Sequence, residues 1–123
     1  MADDSISVAR RAYAAFASMD RSAMEELIGD QFRFTSPLDN RIDRLTYFER
    51  CWPNSKAISA FDLVNLVQDG DRAFVTYEAT SISGQRFRNT EILTVKDGKI
   101  VEAEVYFGWT LPHRAEEGGS VSG

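Results

Sequence analysis

Two polar residues, Asn89 and Glu91, interrupt an apolar strand face on which Phe87, Leu93 and Val95 share their parity. Side chains two apart along a strand project from one face, so an amide and a carboxyl point where burial is expected. A bare buried carboxylate is too costly to keep, so Glu91 must be paired, protonated or set against a cavity. Against a cavity, its chemistry is proton exchange or donation as a general acid or base, with Asn89 orienting an oxygen beside it. The alternative is structural: a carboxylate hydrogen-bonded to Asn89, Tyr77 or an arginine.

Other residue types offer less. Ser36, before Pro37, closes a short alternating segment; a nucleophilic role would need an activating histidine, which the sequence does not place near it. Tyr13 and Phe16 fall on a helical apolar stripe and read as core, with the Tyr13 hydroxyl able to reach a cavity. Trp52, ahead of Pro53, suits either a pocket mouth or plain packing. His113 lies beyond the last strand, as a lid, as a partner to Glu91 or as an exposed tail residue. Asp39, Arg41, Asp43 and Arg44 read as a solvated loop and helix start, Arg41 being an alternative anchor for an acidic ligand. A single histidine and a single cysteine, Cys51, form no metal cluster. Without a Gly-rich phosphate loop or dinucleotide fingerprint, the expectation is no metal and no cofactor.

The elements that must position these residues divide the chain in two. Ile6, Ala9, Tyr13, Phe16 and Ala17 recur at helical spacing behind an Asp4 or Ser5 cap. A second short helix is expected around Met24, Leu27 and Ile28, capped by Asp20 or Ser22 and stopped by Gly29. Gln31 to Ser36 switches to period two, with Phe32 and Phe34 on one face. After the Pro37–Asn40 loop, Leu45, Phe48, Cys51 and Trp52 return to helical spacing, Asp43 capping and Pro53 ending the helix. In the second half, turn signals at Asp69-Gly70, Ser83-Gly84 and Asp97-Gly98 separate Ile58–Val67, Ala73–Ser81, Arg86–Val95 and Lys99–Trp109. These segments, rich in β-branched and aromatic residues, read as a four-stranded antiparallel meander backed by the helices, an α+β pattern.

Parity fixes which face is inward. Val101, Ala103, Val105, Phe107 and Trp109 share the apolar face of the last strand, and Glu102, Glu104 and Tyr106 the other. The apolar faces of the last two strands coincide if Lys96-Asp97-Gly98 forms a three-residue bulged loop, pairing Leu93 with Val101. Glu91 then faces Ala103 and Asn89 faces Val105. An analogous Ile82-Ser83-Gly84 loop turns Val75, Tyr77 and Ala79 inward, with Tyr77 beside Asn89; a two-residue turn would bring in Thr76, Glu78 and Thr80 instead.

Composition bounds the partners. At 123 residues, 43% hydrophobic, the chain is long enough for one domain with its own core. A net charge of −5 argues against a nucleic-acid surface. The start, Met1-Ala2-Asp3-Asp4, is acidic where a signal peptide is basic, and no apolar run approaches the roughly 20 residues that span a bilayer. With an unpaired cysteine, the expectation is a cytoplasmic protein without membrane contact.

Four segments resemble the nuclear transport factor 2-like superfamily, and more closely its SnoaL-like branch: Tyr13 to Asp20, Phe32 to Pro37, Asp97 to Val101, and Val105 to Gly108. The likeness runs over about residues 6 to 109. It implies a cone-shaped α+β barrel, with N-terminal helices packed on a curved, mainly antiparallel sheet, a deep pocket and a homodimer. The family contains ketosteroid isomerases, polyketide cyclases, dehydratases and epoxide hydrolases, and also non-catalytic binding and scaffold domains. Against the steroid isomerase pattern, the general-base Asp corresponds to Ser36, which is no carboxylate. The oxyanion-hole Tyr corresponds to Ala12, with Tyr13 one residue on and roughly 100° around the helix. The protonated acid corresponds to Glu91. The Arg and paired Asp of the epoxide hydrolases are not evident.

The resulting expectation is one domain over residues 1–111 and a disordered tail over 112–123. Its pocket would take a small apolar ligand or substrate, with Glu91 catalytic and Asn89, Tyr77, Tyr13, Phe16, Ser36, Trp52, Val105 and Phe107 binding. The function would be cofactor-free acid/base catalysis of an isomerase, dehydratase, cyclase or hydrolase type. The alternatives are a non-catalytic ligand-binding domain and a dimerisation scaffold using the outer sheet face around Tyr106.

Overall fold

The computed structural model describes residues 4–122; Met1-Ala2-Asp3, on which most of the reading of the N-terminus rests, and Gly123 lie outside the described residues. Asp4 caps α1 (Ser5–Ala17), its carboxylate accepting from the Ser7 N–H. The buried stripe is Val8, Ala9, Ala12, Tyr13 and Ala15, rotated slightly from the expected one. Asp20 rather than Ser22 caps α2 (Arg21–Leu27). Gly29 does not stop this helix but lies inside β1 (Ile28–Ser36), which starts three residues earlier than the alternation suggested.

The stretch read as a loop after Ser36 is a tight turn leading into a missed strand, β2 (Asp39–Asp43). Asp43 caps α3 (Arg44–Arg50) as expected, with Tyr47 and Phe48 buried. Leu45, assigned to the apolar stripe, is 66% exposed. Pro53 does not end the helical region: it occupies the start of a 3-10 helix, Trp52–Ala57.

The meander is present as β3 (Ile58–Asp69), β4 (Arg72–Ser81), β5 (Arg86–Lys96) and β6 (Lys99–Leu111). The six strands form one mixed sheet in the order β2-β1-β6-β5-β4-β3, with β1 parallel to β6 and the other pairs antiparallel. The expected barrel is therefore not formed. Closure would give every strand two partners, whereas β2 and β3 are free edges that do not meet. The helices cover one face of this open sheet: α1 lies across β3, β4 and β5, and α3 against β1 and β2. The core lies between them and the sheet, with Phe32, Val8 and Val75 its largest fully buried side chains.

The β5–β6 hairpin differs from the expected register in a way that matters. Its turn has two residues, Asp97 and Gly98, both at positive φ (52° and 75°), and Lys96 pairs with Lys99. The extra residue sits inside β6 instead: Thr94 pairs with Glu102 and Val95 with Ile100, which leaves Val101 as a bulge. Beyond it the odd-numbered faces do coincide, but shifted: Leu93 opposes Ala103, Glu91 opposes Val105 and Asn89 opposes Phe107. The β4–β5 loop is the expected Ile82-Ser83-Gly84, with Gly84 at φ 88°. Val75, Tyr77 and Ala79 are buried as expected, and Tyr77 pairs with Asn89.

Candidate functional site

A cavity of about 490 Å³ opens between the inner sheet face and the helices. Tyr13, Phe16, Ser36, Tyr77, Asn89, Glu91, Val105 and Phe107 all line it. Trp52 does not: it is 8% exposed and packs behind the wall, 5.5 Å from Phe16 and 6.1 Å from Phe48 between ring centroids. As the first residue of the 3-10 helix, it carries its indole into the core rather than to a mouth.

Asn89 is held from two strands. Its Nδ2 donates to the Tyr77 hydroxyl (3.3 Å), and its Oδ1 accepts from the Gly108 N–H (3.2 Å). The second bond exists because β6 bulges at Gly108, between Phe107 opposite Asn89 and Trp109 opposite Arg88. A Cβ at Gly108 would lie 2.2 Å from the Arg88 carbonyl oxygen, so only glycine permits this approach. Asn89 is thereby pinned, and the Tyr77 hydroxyl, having accepted from it, keeps its own proton to donate.

Glu91 sits one pair further along, between Val75 on β4 and Val105 on β6. No hydrogen bond or ion pair holds its carboxyl among the described residues, and no Lys, Arg or His lines the cavity. The residue keeps some accessible surface, which opens onto the cavity it lines. Burial pushes the Glu91 acid up from its ordinary value near 4.5 to about 7, partly offset by the Tyr13 hydroxyl beside it. That hydroxyl is close enough to favour the carboxylate, yet its geometry completes no hydrogen bond with any partner.

Tyr13, Tyr47 and Tyr77 surround this carboxyl, and all three phenols are held above their ordinary range, by burial first and then by the Glu91 charge. The Tyr13 ring is locked between Phe61 (5.2 Å) and Tyr77 (5.3 Å). Tyr47 was missed in the sequence, although it stands four residues before Cys51, which the apolar stripe included. Phe61 was missed because β3 alternates weakly.

At the open end the site has a second carboxyl, also missed. Asp39 lines the cavity with its side chain 11% exposed. The Ser36 hydroxyl accepts from the Leu38 N–H (3.0 Å) and donates to Asp39 Oδ2 (3.0 Å). Ser36 therefore positions a carboxylate rather than acting as a nucleophile. Asp39 Oδ1 has only Arg50 Nη1 at 4.0 Å, the outer limit of an ion pair, and Arg50 is 63% exposed. Cys51 lies near both acids; burial and then the Asp39 charge push its thiol up to about 11, against the pull of Arg50, so it is no nucleophile at neutral pH.

The remaining candidates lie elsewhere. Arg41 pairs with Glu102 on the outer sheet face (3.1 Å). His113 stacks on Trp109 (5.9 Å) and accepts from the Ala115 N–H at Nδ1 (2.9 Å), making no contact with Glu91. No group of His, Cys, Asp and Glu able to hold a metal occurs among the described residues. No helix among them is long and apolar enough to cross a membrane.

A family model described as a SnoaL-like domain matches residues 9–103. Comparison with curated proteins yields no match. Among solved structures, the chain is similar to a candidate ketosteroid isomerase from Kribbella flavida: 16% identity, 99% of this chain and 90% of that one, TM-score 0.75. It is also similar to an LEH-like epoxide hydrolase of M. tuberculosis: 18% identity, 85% and 82% covered, TM-score 0.72. A third is an NTF2-like protein of unknown function from Cytophaga hutchinsonii: 15% identity, 88% and 93% covered, TM-score 0.70. At these identities the likeness is one of fold.

Proposed function

We propose, for a chain that belongs to the SnoaL-like domain family within the NTF2-like superfamily, that its cavity binds a small, largely apolar organic molecule and that Glu91 exchanges a proton with it. The observation that carries this reading is the carboxyl itself: facing a cavity deep in the fold, with no counter-ion and only the Tyr13 hydroxyl beside it. A group titrating at about 7 is divided between its acid and its base near neutral pH, which suits proton transfer in either direction.

The protonated form of Glu91 donates to a ligand oxygen, and the Tyr13 and Tyr77 hydroxyls supply further donors to charge developing there. Asn89 keeps Tyr77 aimed, and the aromatic wall holds the apolar body while excluding water. Isomerisation, dehydration, cyclisation and hydrolysis all need this step and no cofactor. Solved neighbours described as a candidate ketosteroid isomerase and an epoxide hydrolase support an enzyme acting on a small molecule.

A second reading, non-catalytic binding in the same cavity, draws on Ser36, a hydroxyl where the steroid isomerases carry a carboxylate base. The test compares wild type with Glu91→Gln in a screen of ketones, epoxides and hydroxylated aromatics, alongside ligand-stabilised melting. Turnover lost with binding retained is the expected result. Ligand stabilisation with no turnover by the wild type would contradict catalysis and leave binding.

A further inference from the structure

We propose that Asp39 makes this cavity selective for a cationic amine, its ammonium held at the open end by Asp39 Oδ1 and its apolar body directed inward toward Glu91. The inference rests on the reading of the cavity as a small-molecule site and adds the chemical class that it accepts.

The charge pattern of the wall is one-sided. Glu91 and Asp39 line the cavity, and among the described residues no Lys, Arg or His does. An anionic ligand such as a carboxylate or phosphate would enter a site without a single lining cation. Asp39 is also built rather than incidental: the Ser36 hydroxyl, fixed by the Leu38 N–H, commits its proton to Oδ2. Oδ1 is left without a hydrogen bond among the described residues, in a side chain 11% exposed. Such an oxygen is completed by a donor, and most strongly by a charged one.

An independent observation marks the same space as a ligand site. The Tyr13 hydroxyl lines it, has no hydrogen-bond partner and belongs to a residue only 8% exposed. It faces the end at which Glu91 sits, so the cavity has unfilled polar groups at both ends of an apolar body. Phe107, 54% exposed, also lines the cavity and offers a ring face that attracts cations, whereas the Trp109 ring is already met by Arg88 (5.7 Å) and His113 (5.9 Å). Two cations stand outside this wall: Arg50, 63% exposed and 4.0 Å from Oδ1, is too far and too solvated to occupy it, and Arg88, over the Trp109 ring, is committed to Glu78.

The test uses the full chain and four probes of matched shape: naphthylethylamine, naphthylethanol, ethylnaphthalene and naphthylacetic acid, titrated by calorimetry at neutral pH. The amine is expected to bind about ten-fold or more tightly than the hydrocarbon, the alcohol to fall between, and the acid to bind most weakly. Asp39→Asn abolishes the amine's advantage over the alcohol, while Glu91→Gln retains it. If Asp39→Asn does not fold, Ser36→Ala, which keeps the charge but frees the carboxylate, is expected to reduce that advantage by a smaller factor. Amine and alcohol binding equally to the wild type overturns the proposal, as does an advantage lost in Glu91→Gln but kept in Asp39→Asn or unchanged in Ser36→Ala. If none of the four probes binds, the small-molecule reading falls and takes this proposal with it. If ethylnaphthalene binds and the amine gains nothing, only the selectivity falls.

Discussion

Tyr13 on α1 and Glu91 on β5 meet across one cavity, and neither completes a hydrogen bond with the other or with any described residue. A buried hydroxyl left in this state, as that of Tyr13 is, is costly unless something outside the chain completes it. The juxtaposition of this phenol and this acid is what supports the function proposed above.

Tyr13→Phe separates the two. Deleting a hydroxyl without a partner removes a desolvation cost, so stability is expected to hold within about 1 kcal/mol of wild type or to rise. The same change removes the contact that favours the carboxylate, so the Glu91 titration moves further up. Urea melts and an NMR titration check both; a large loss of stability would show that the hydroxyl is bonded after all.

The raised Glu91 acid makes stability fall with pH. Between about 4.5 and 7 the unfolded chain has released this proton while the native protein retains it, so the native state binds more protons and loses stability as pH rises. The contribution is fully present below about 4.5 and gone above about 7, a change on the order of 3 kcal/mol. Glu91→Gln is expected to flatten that slope and to melt higher than wild type at pH 8. Parallel pH profiles for the two proteins would contradict the assignment.

Gly108→Ala tests the bulge that anchors Asn89. A Cβ 2.2 Å from the Arg88 carbonyl oxygen must push the strands apart, breaking the Gly108 to Asn89 hydrogen bond. A loss of about 1–3 kcal/mol is expected from the overpacking, read by thermal melting. An unchanged melt would mean that the bulge is not formed.

The Cys51 thiol, pushed up to about 11, should resist alkylation. Iodoacetamide at pH 8 is expected to react on the order of a hundred-fold more slowly than with a free thiol of pKa about 8.5. Asp39→Asn removes one charge that holds the thiol up and should speed the reaction. A wild-type rate equal to that of free cysteine would contradict the placement of Cys51 beside the two acids.

Much of this site was legible because β4 and β5 alternate strongly: Val75, Tyr77 and Ala79 announce one face, and Asn89 and Glu91 stand out on the other strand's matching face. The pairing of Tyr77 with Asn89 followed from a single glycine loop. The bulges at Val101 and Gly108 were not legible, since a bulge is a property of two paired strands and leaves no periodic mark on one. Misplacing the first put Ala103 opposite Glu91, where the structure has Val105. Asp39 was hidden because Asp39–Asp43 carries a single apolar residue, Ile42, too few to register as a strand. The barrel failed for a different reason: whether β2 and β3 meet is a property of the whole sheet, which no local pattern encodes.

The most direct test of the central claim is the carboxyl titration of Glu91 itself, followed by its side-chain carbon resonance in ¹³C NMR with Glu91→Gln used for assignment. A buried, unpaired acid facing a cavity predicts a midpoint at about 7. A midpoint at the ordinary value near 4.5 would show that the carboxyl is paired or solvated, and would contradict the account.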